Sequence, residues 1–134
     1  MDNEIPKSKN KKVRGATKVV YNGIRFDSKL EAECYQLLQS YGIPFVLKPR
    51  YVLQEKFVYL SEHIRSIEME PDFYLPEHDL IVETKGFAND VYPVKVKMLK
   101  HFLWVNGLET GIVVIATKKE LHEFFFKLKH KIPL

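Results

Sequence analysis

The sequence predicts an α/β fold built on a mixed central sheet, and three observations predict it. Leu30, Cys34, Leu37, Leu38 and Tyr41 recur at helical spacing. Leu80-Ile81-Val82 and Ile112-Val113-Val114-Ile115 are short continuous apolar runs of the kind found in buried strands. A helix-length segment separates those two runs, so they should form a parallel pair joined by a helical crossover.

Each element has its own local reason. Residues 1–18 are polar, Lys-rich and without hydrophobic periodicity, which predicts a flexible basic tail before a single domain over residues 19–134. Tyr21-Asn22-Gly23-Ile24-Arg25-Phe26 reads as a turn or short hairpin. Ser28 suits an N-cap, and the helix should run to Tyr41, where Gly42 stops it. Ile43–Leu47 is β-rich but short, with Pro44 early, as at a strand start or sheet edge. Tyr51–Leu60, Arg65–Tyr74 and Asp79–Thr84 then predict a three-strand meander. Asp90 precedes a second helix from Tyr92 to Asn106, with Pro93 in its first turn and Gly107 at its end. Gly111–Ala116 predicts the parallel strand. Lys118–Lys129 predicts a third helix with Leu121, Phe124, Phe125 and Leu128 on one side. With the short Ile43–Leu47 piece set aside, the order is αβββαβα. Phe102, Trp104, Phe124, Phe125 and Phe126 are expected mostly in the core rather than as base-stacking platforms, and Cys34 as a buried thiol.

Composition narrows the function classes. The chain has 134 residues, 46% hydrophobic and 28% charged, which excludes wholesale disorder and a collagen-like chain. No apolar run approaches the roughly 18 residues of a membrane span. Met1–Asn10 has no apolar core, so no signal peptide is expected. One cysteine excludes an internal disulfide and fits a reducing compartment. The net charge of +4 sits where residues 1–18 hold six bases and two acids. Residues 51–83 hold eight acids and two bases, while residues 85–134 hold nine bases and four acids. An acidic centre between basic flanks suits a metal-binding core facing a polyanion; a solvated, mixed surface is the plain alternative.

The chemistry-bearing pattern is Glu70-Pro71-Asp72-Phe73-Tyr74 followed by Val82-Glu83-Thr84-Lys85-Gly86. Glu83 and Lys85 are two apart at the end of an apolar strand and share a face. Asp72, arriving on the neighbouring strand, can meet Glu83 there. Adjacent carboxylates repel unless a cation lies between them, and oxygen-only ligation suits Mg²⁺ or Mn²⁺. Lys85 could orient a water or offset charge developing on phosphorus. The alternative is a surface Glu83–Lys85 pair with Pro71-Asp72 as a turn. Glu31 has two readings as well. Ser28-x-x-Glu31 fits a capping box, with Glu31 bonding back to the N–H of the cap. The same helix can also bring Glu31 across the sheet edge as a third carboxylate. Lys95, Lys97 and Lys100 on the second helix suit phosphate contacts or a solvated face.

The runs Ser28-Lys29-Leu30-Glu31, Gly42-Ile43-Pro44-Phe45, Pro71-Asp72-Phe73-Tyr74-Leu75-Pro76 and Val82-Glu83-Thr84-Lys85-Gly86 resemble the PD-(D/E)XK nuclease superfamily. Within it they resemble the endonuclease I type of phage Holliday-junction resolvase. They also resemble small phage-encoded nucleases in which Lys-Gly-Phe and Tyr-x-x-Lys follow, here Lys85-Gly86-Phe87 and Tyr92-Pro93-Val94-Lys95. The resemblance covers roughly residues 20–105. It implies a restriction-endonuclease-like core and Mg²⁺- or Mn²⁺-dependent hydrolysis of DNA, preferentially branched or junction DNA. Asp72 and Glu83 are the implied metal ligands, Glu31 the helix carboxylate beside the metal, and Lys85 the catalytic lysine. Lys29, Lys95, Lys97 and Lys100 are the expected DNA contacts. A homodimer and a cytoplasmic setting in a phage-infected or mobile-element-bearing bacterium follow from the same resemblance. One departure stands out: Phe45-Val46-Leu47-Lys48 lacks the acidic residue that the endonuclease I type carries soon after Gly-Ile. One metal versus two is therefore open, with Glu70 as a substitute ligand or a solvated strand residue.

Overall fold

The computed structural model describes residues 18–84 and 92–134. The basic tail, apart from Lys18, lies outside the described residues, as do Lys85, Gly86, Phe87 and Asp90. The fold is α/β with a mixed sheet. A hairpin of β1 (Val19–Tyr21) and β2 (Ile24–Phe26) comes first. Its turn, Asn22-Gly23, has φ of 54° and 74°, the left-handed pair that a two-residue hairpin needs and that Asn-Gly supplies cheaply. Helix α1 (Lys29–Ser40) follows, capped by Ser28, whose extended backbone frees its hydroxyl to accept from the Glu31 N–H. Gly42, at φ 67°, turns the chain out of the helix.

The central sheet has the order β10-β9-β8-β3: β3 (Val46–Leu47), β8 (Phe73–Leu75), β9 (Leu80–Glu83) and β10 (Gly111–Val114). The pairs β3–β8 and β8–β9 are antiparallel, and β9–β10 is parallel. Helix α2 (Tyr92–Val105) makes the crossover within that parallel pair, and α3 (Lys118–His130) closes the fold. Three antiparallel strands plus one parallel strand match the expected architecture, but the first of the three is different. It is the short Val46–Leu47 piece, not Tyr51–Leu60.

The expected Tyr51–Leu60 strand is two strands, and both leave the central sheet. β4 (Tyr51–Gln54) pairs with β7 (Ile67–Met69), with a register shift between Val52 and Gln54. β5 (Phe57–Tyr59) and β6 (Glu62–Ile64) form a separate hairpin. Its turn is Leu60-Ser61, with φ of 47° and 73°. Neither residue is the Gly, Asn or Asp that usually marks such a turn, so the sequence conceals it. The expected Arg65–Tyr74 strand is also split. Pro71 has no N–H to donate, so the ladder that β7 makes cannot run on unbroken into β8.

Alternation along the strands divides the core in two. Phe73, Leu75, Leu80 and Val82 pack with Phe26, with Ala32, Cys34, Tyr35 and Leu38 of α1, and with Leu121, Phe124 and Phe125 of α3. Ile81 packs instead with Met69 and with Leu99 and Leu103 of α2. Two aromatics expected inside are exposed, Trp104 and Phe126. Each follows a core residue, Leu103 and Phe125, and one residue is 100° of helix, enough to swing the ring outward. Among the described residues no helix is long and apolar enough to cross a membrane.

Candidate functional site

The site forms where β8 begins and β9 ends. Phe73 pairs with Val82. One step further along that register Asp72 faces Glu83, and the Asp72 N–H donates to Glu83 Oε1 at 3.0 Å. Asp72 Oδ2 accepts twice from Thr84, from its N–H at 2.8 Å and its hydroxyl at 2.7 Å. The predicted strand-end meeting of Asp72 and Glu83 is thus present, and both are almost fully buried. Thr84, the middle residue of Glu-x-Lys, carries no motif signal of its own, yet it fixes the Asp72 carboxylate.

Glu31 arrives on the first turn of α1 and is 1% exposed. Its two carboxylate oxygens face different ways, one to the helix start and one to the site. Ser28 Oγ accepts from the Glu31 N–H at 3.1 Å. Glu31 Oε1 accepts from a backbone N–H at 2.9 Å, but that donor is Asp27, one residue before the cap, rather than Ser28 itself. Its other oxygen, Oε2, points into the site and lies 2.8 Å from Lys48 Nζ.

Lys48 is the residue that sequence reasoning missed. It follows β3 directly, in the left-handed region at φ 53°, and its N–H donates to the Asp72 carbonyl at 2.9 Å. Its ammonium reaches Asp72 Oδ1 at 3.3 Å as well as Glu31, with Asp27 Oδ2 at 3.8 Å. It stands in the Phe45–Lys48 stretch where the missing acid was noted. Its charge is opposite in sign to the acidic residue that the resemblance implies there, so the stretch carries no motif signal for it.

Electrostatics rank the carboxylates. Burial and the charge of Asp72 push the Glu31 carboxyl up, and Lys48 only partly opposes them. Burial would also raise Asp72, but the Thr84 N–H, the Thr84 hydroxyl and Lys48 outweigh it and hold Asp72 below the usual carboxylate range. Burial works against the Lys48 ammonium, yet Glu31 and Asp72 hold it charged well beyond the ordinary lysine range. Tyr92, the first residue of α2, has its phenol pushed up to about 12 by burial and by the charges of Glu83 and Asp72. It stays protonated beside the site as a neutral hydroxyl. Burial raises the Cys34 thiol too, so that residue is a core thiol and not a nucleophile.

The donor set is hard oxygen, suited in kind to Mg²⁺ or Mn²⁺. Glu31 Oε2 and Asp72 Oδ1 already converge on one cation, the ammonium of Lys48. Among the described residues, the buried carboxylates of Glu31 and Asp72 share the single ammonium of Lys48, and a divalent cation is a counter-charge of the kind such oxygens accept. Even so, among the described residues no three His, Cys, Asp or Glu side chains gather as a metal cluster. Glu31 and Asp72 are linked through Lys48, and Asp72 and Glu83 through a main-chain bond.

The other predicted residues that the structure describes are dispersed. Lys85 lies outside the described residues. Lys29 is exposed at the start of α1, and Lys97 and Lys100 are exposed on α2. Lys95 is half-buried, and its charge acts on Glu68 of β7. Glu70 is exposed and lies just past β7, outside any strand.

The chain belongs to the DUF1064 family, described as a protein of unknown function, whose model matches residues 10–119. No curated protein and no solved structure matches it.

Proposed function

We propose that the chain is a divalent-metal-dependent DNA endonuclease of the PD-(D/E)XK type, selective for branched DNA. The observation that carries the proposal is the strand-end pair Asp72–Glu83, buried together, with Glu31 of α1 sharing a cation with Asp72. Buried carboxylates cost stability unless their charge is matched, and a divalent cation is one group that matches it.

In this reading Asp72, Glu83 and Glu31 would hold Mg²⁺ or Mn²⁺. When bound, that ion supplies Lewis-acid polarisation of the scissile phosphate and acidifies water. The chain's own groups do the rest. Thr84 locks the Asp72 carboxylate in its ionised form and in one orientation. The Asp72 N–H holds Glu83 in place. Lys85, two residues beyond Glu83, is assigned to orient the attacking water or offset charge on the phosphate oxygens. Lys97 and Lys100 supply cations to the backbone of the strand.

The test is cleavage of a four-way junction beside a linear duplex of the same sequence, with Mg²⁺, Mn²⁺ or EDTA. The expected result is metal-dependent cutting of the junction that Asp72→Asn, Glu83→Gln and Lys85→Ala each abolish while DNA affinity persists. Cutting by Glu83→Gln at the parental rate would sink the assignment. One observation favours a second reading, a DNA-binding module without turnover: Lys48 already neutralises part of the site. In that case all variants bind DNA alike, and neither the parent chain nor any variant cuts.

A further inference from the structure

Helix α2 turns a basic and aromatic face to solvent. Lys97, Lys100, His101 and Trp104 follow at i, i+3, i+4 and i+7, so they lie on one side of the helix, and all four are exposed. Trp104 is the chain's single tryptophan and is 75% exposed. The core does not use it: Leu99 and Leu103 anchor the opposite side of α2. The His101 ring lies 5.6 Å from the indole and tilted by 55° to it. No acidic residue occurs in α2, and Glu109 is the sole acid between Tyr92 and Thr117.

We propose that this face binds a nucleic-acid strand with unpaired bases, Trp104 stacking on a base while Lys97 and Lys100 hold the flanking phosphates. Aromatic platforms interleaved with cations are how proteins track single strands, because every base offers a π-face once it is unstacked. In a continuous duplex those faces are covered. The proposal rests on the nuclease reading for its substrate and refines it: the strand preferred is one with bases laid open, as at a branch or a single-stranded flap. The position along the helix fits. Tyr92 lies within the field of Asp72 and Glu83. Trp104 is twelve residues further on, about 18 Å at the helical rise. Tyr92 packs on the inner side of α2 with Leu99 and Leu103, so the 18 Å is a distance along the axis, and a strand gripped at Trp104 passes over the outer face before reaching that end of the helix.

A lone tryptophan makes the test direct. Its emission is followed in EDTA, so that no cutting intervenes, while three oligonucleotides of equal length are added: a single strand, the same strand with abasic sites throughout, and a duplex. The single strand should quench Trp104. The abasic strand, with the same phosphates and no bases, should bind without quenching, and the duplex should quench far less. Trp104→Ala should weaken single-strand binding by roughly fivefold to a hundredfold and leave abasic-strand binding unchanged. Lys97→Glu should weaken both strands. Equal quenching by abasic and intact strands, or by duplex and single strand, would overturn the proposal. So would an emission change that follows protein concentration instead of added DNA, which would make the face a protein interface. The two readings fail separately. A strand that quenches Trp104 but is never cut with Mn²⁺ removes the nuclease and keeps this face. Cutting that depends on Glu83 without any Trp104 response does the reverse.

Discussion

Lys48 and Arg50 are two residues apart and make ion pairs in opposite settings. Arg50 has the better geometry. Its Nε and Nη2 donate to the two oxygens of Glu68 at 2.8 and 2.6 Å, and the Ser66 hydroxyl adds a third bond at 2.7 Å. Lys48 makes a single contact of 2.8 Å and a looser one of 3.3 Å. Geometry alone would rank Arg50 first. The surroundings reverse that order. Water screens the Arg50–Glu68 fork, and such surface pairs contribute little. The two nearer partners of Lys48, Glu31 and Asp72, are sealed, and removing their cation would strand charge away from water. The well-formed pair is therefore decoration on an exposed ladder, and the looser one marks the site.

The sharpest way to break that contrast is Lys48→Met. Breaking a buried pair from one side costs about 3–5 kcal/mol. About a third of the Lys48 side chain reaches solvent, and Glu31 can take up a proton instead, so the loss in metal-free protein should be nearer 1–3 kcal/mol. With saturating Mn²⁺ the order should change. The variant lacks the competing ammonium, so it should bind Mn²⁺ severalfold more tightly and gain more in Tm than the parent. Thermal melts with and without Mn²⁺, beside calorimetric titration, check this. Equal destabilisation in both conditions with unaltered Mn²⁺ affinity would mean that Lys48 is a structural tie only.

A smaller effect is expected from Glu31→Gln. Glutamine keeps a carbonyl oxygen for the Asp27 N–H, so the helix start survives. The loss in stability should fall below the roughly 0.5–2 kcal/mol of a missing cap. Mn²⁺ binding should weaken strongly, because the charge facing Lys48 is gone. Glu31→Ala removes both functions and should lose stability as well. If Gln and Ala variants bind Mn²⁺ like the parent, Glu31 is a capping residue alone.

The sequence made some of this legible and hid the rest for physical reasons. Asp72 and Glu83 could be paired in advance because an apolar run ends at Glu83 and strand register is strict. Helix α1 was legible from both ends, at Ser28 and Gly42. Lys48 was not: a two-residue edge strand leaves almost no periodicity, and nothing local shows that a lysine beyond it turns left-handed and reaches back. The Leu60-Ser61 turn was hidden for a related reason, since its residues lack turn chemistry and tertiary context holds them at positive φ. Trp104 was misplaced because α2 is apolar around much of its circumference, and its inner face is plain only once Leu99 and Leu103 are seen against Ile81.

The smallest expected effect belongs to the better-formed pair. Arg50, followed by the Ser66 hydroxyl, pushes the Glu68 carboxyl down to about 2. A carboxyl depressed in the folded state adds stability above its unfolded value, near 4.5, and that contribution fades as pH falls from there toward 2. Stability should therefore rise with pH across that window, slightly, because the pair is exposed. Arg50→Gln should flatten the slope between pH 2 and 4.5 and leave the melting temperature at neutral pH nearly unchanged. A carboxyl-detected NMR titration reads the same change at its source. The Glu68 midpoint should move up toward the ordinary range in Arg50→Gln, while Asp72 keeps its own depressed midpoint, since Thr84 and Lys48 hold it. A large neutral-pH loss on Arg50→Gln would show that this fork is worth more than its exposure implies, and would put the two cations back on equal terms.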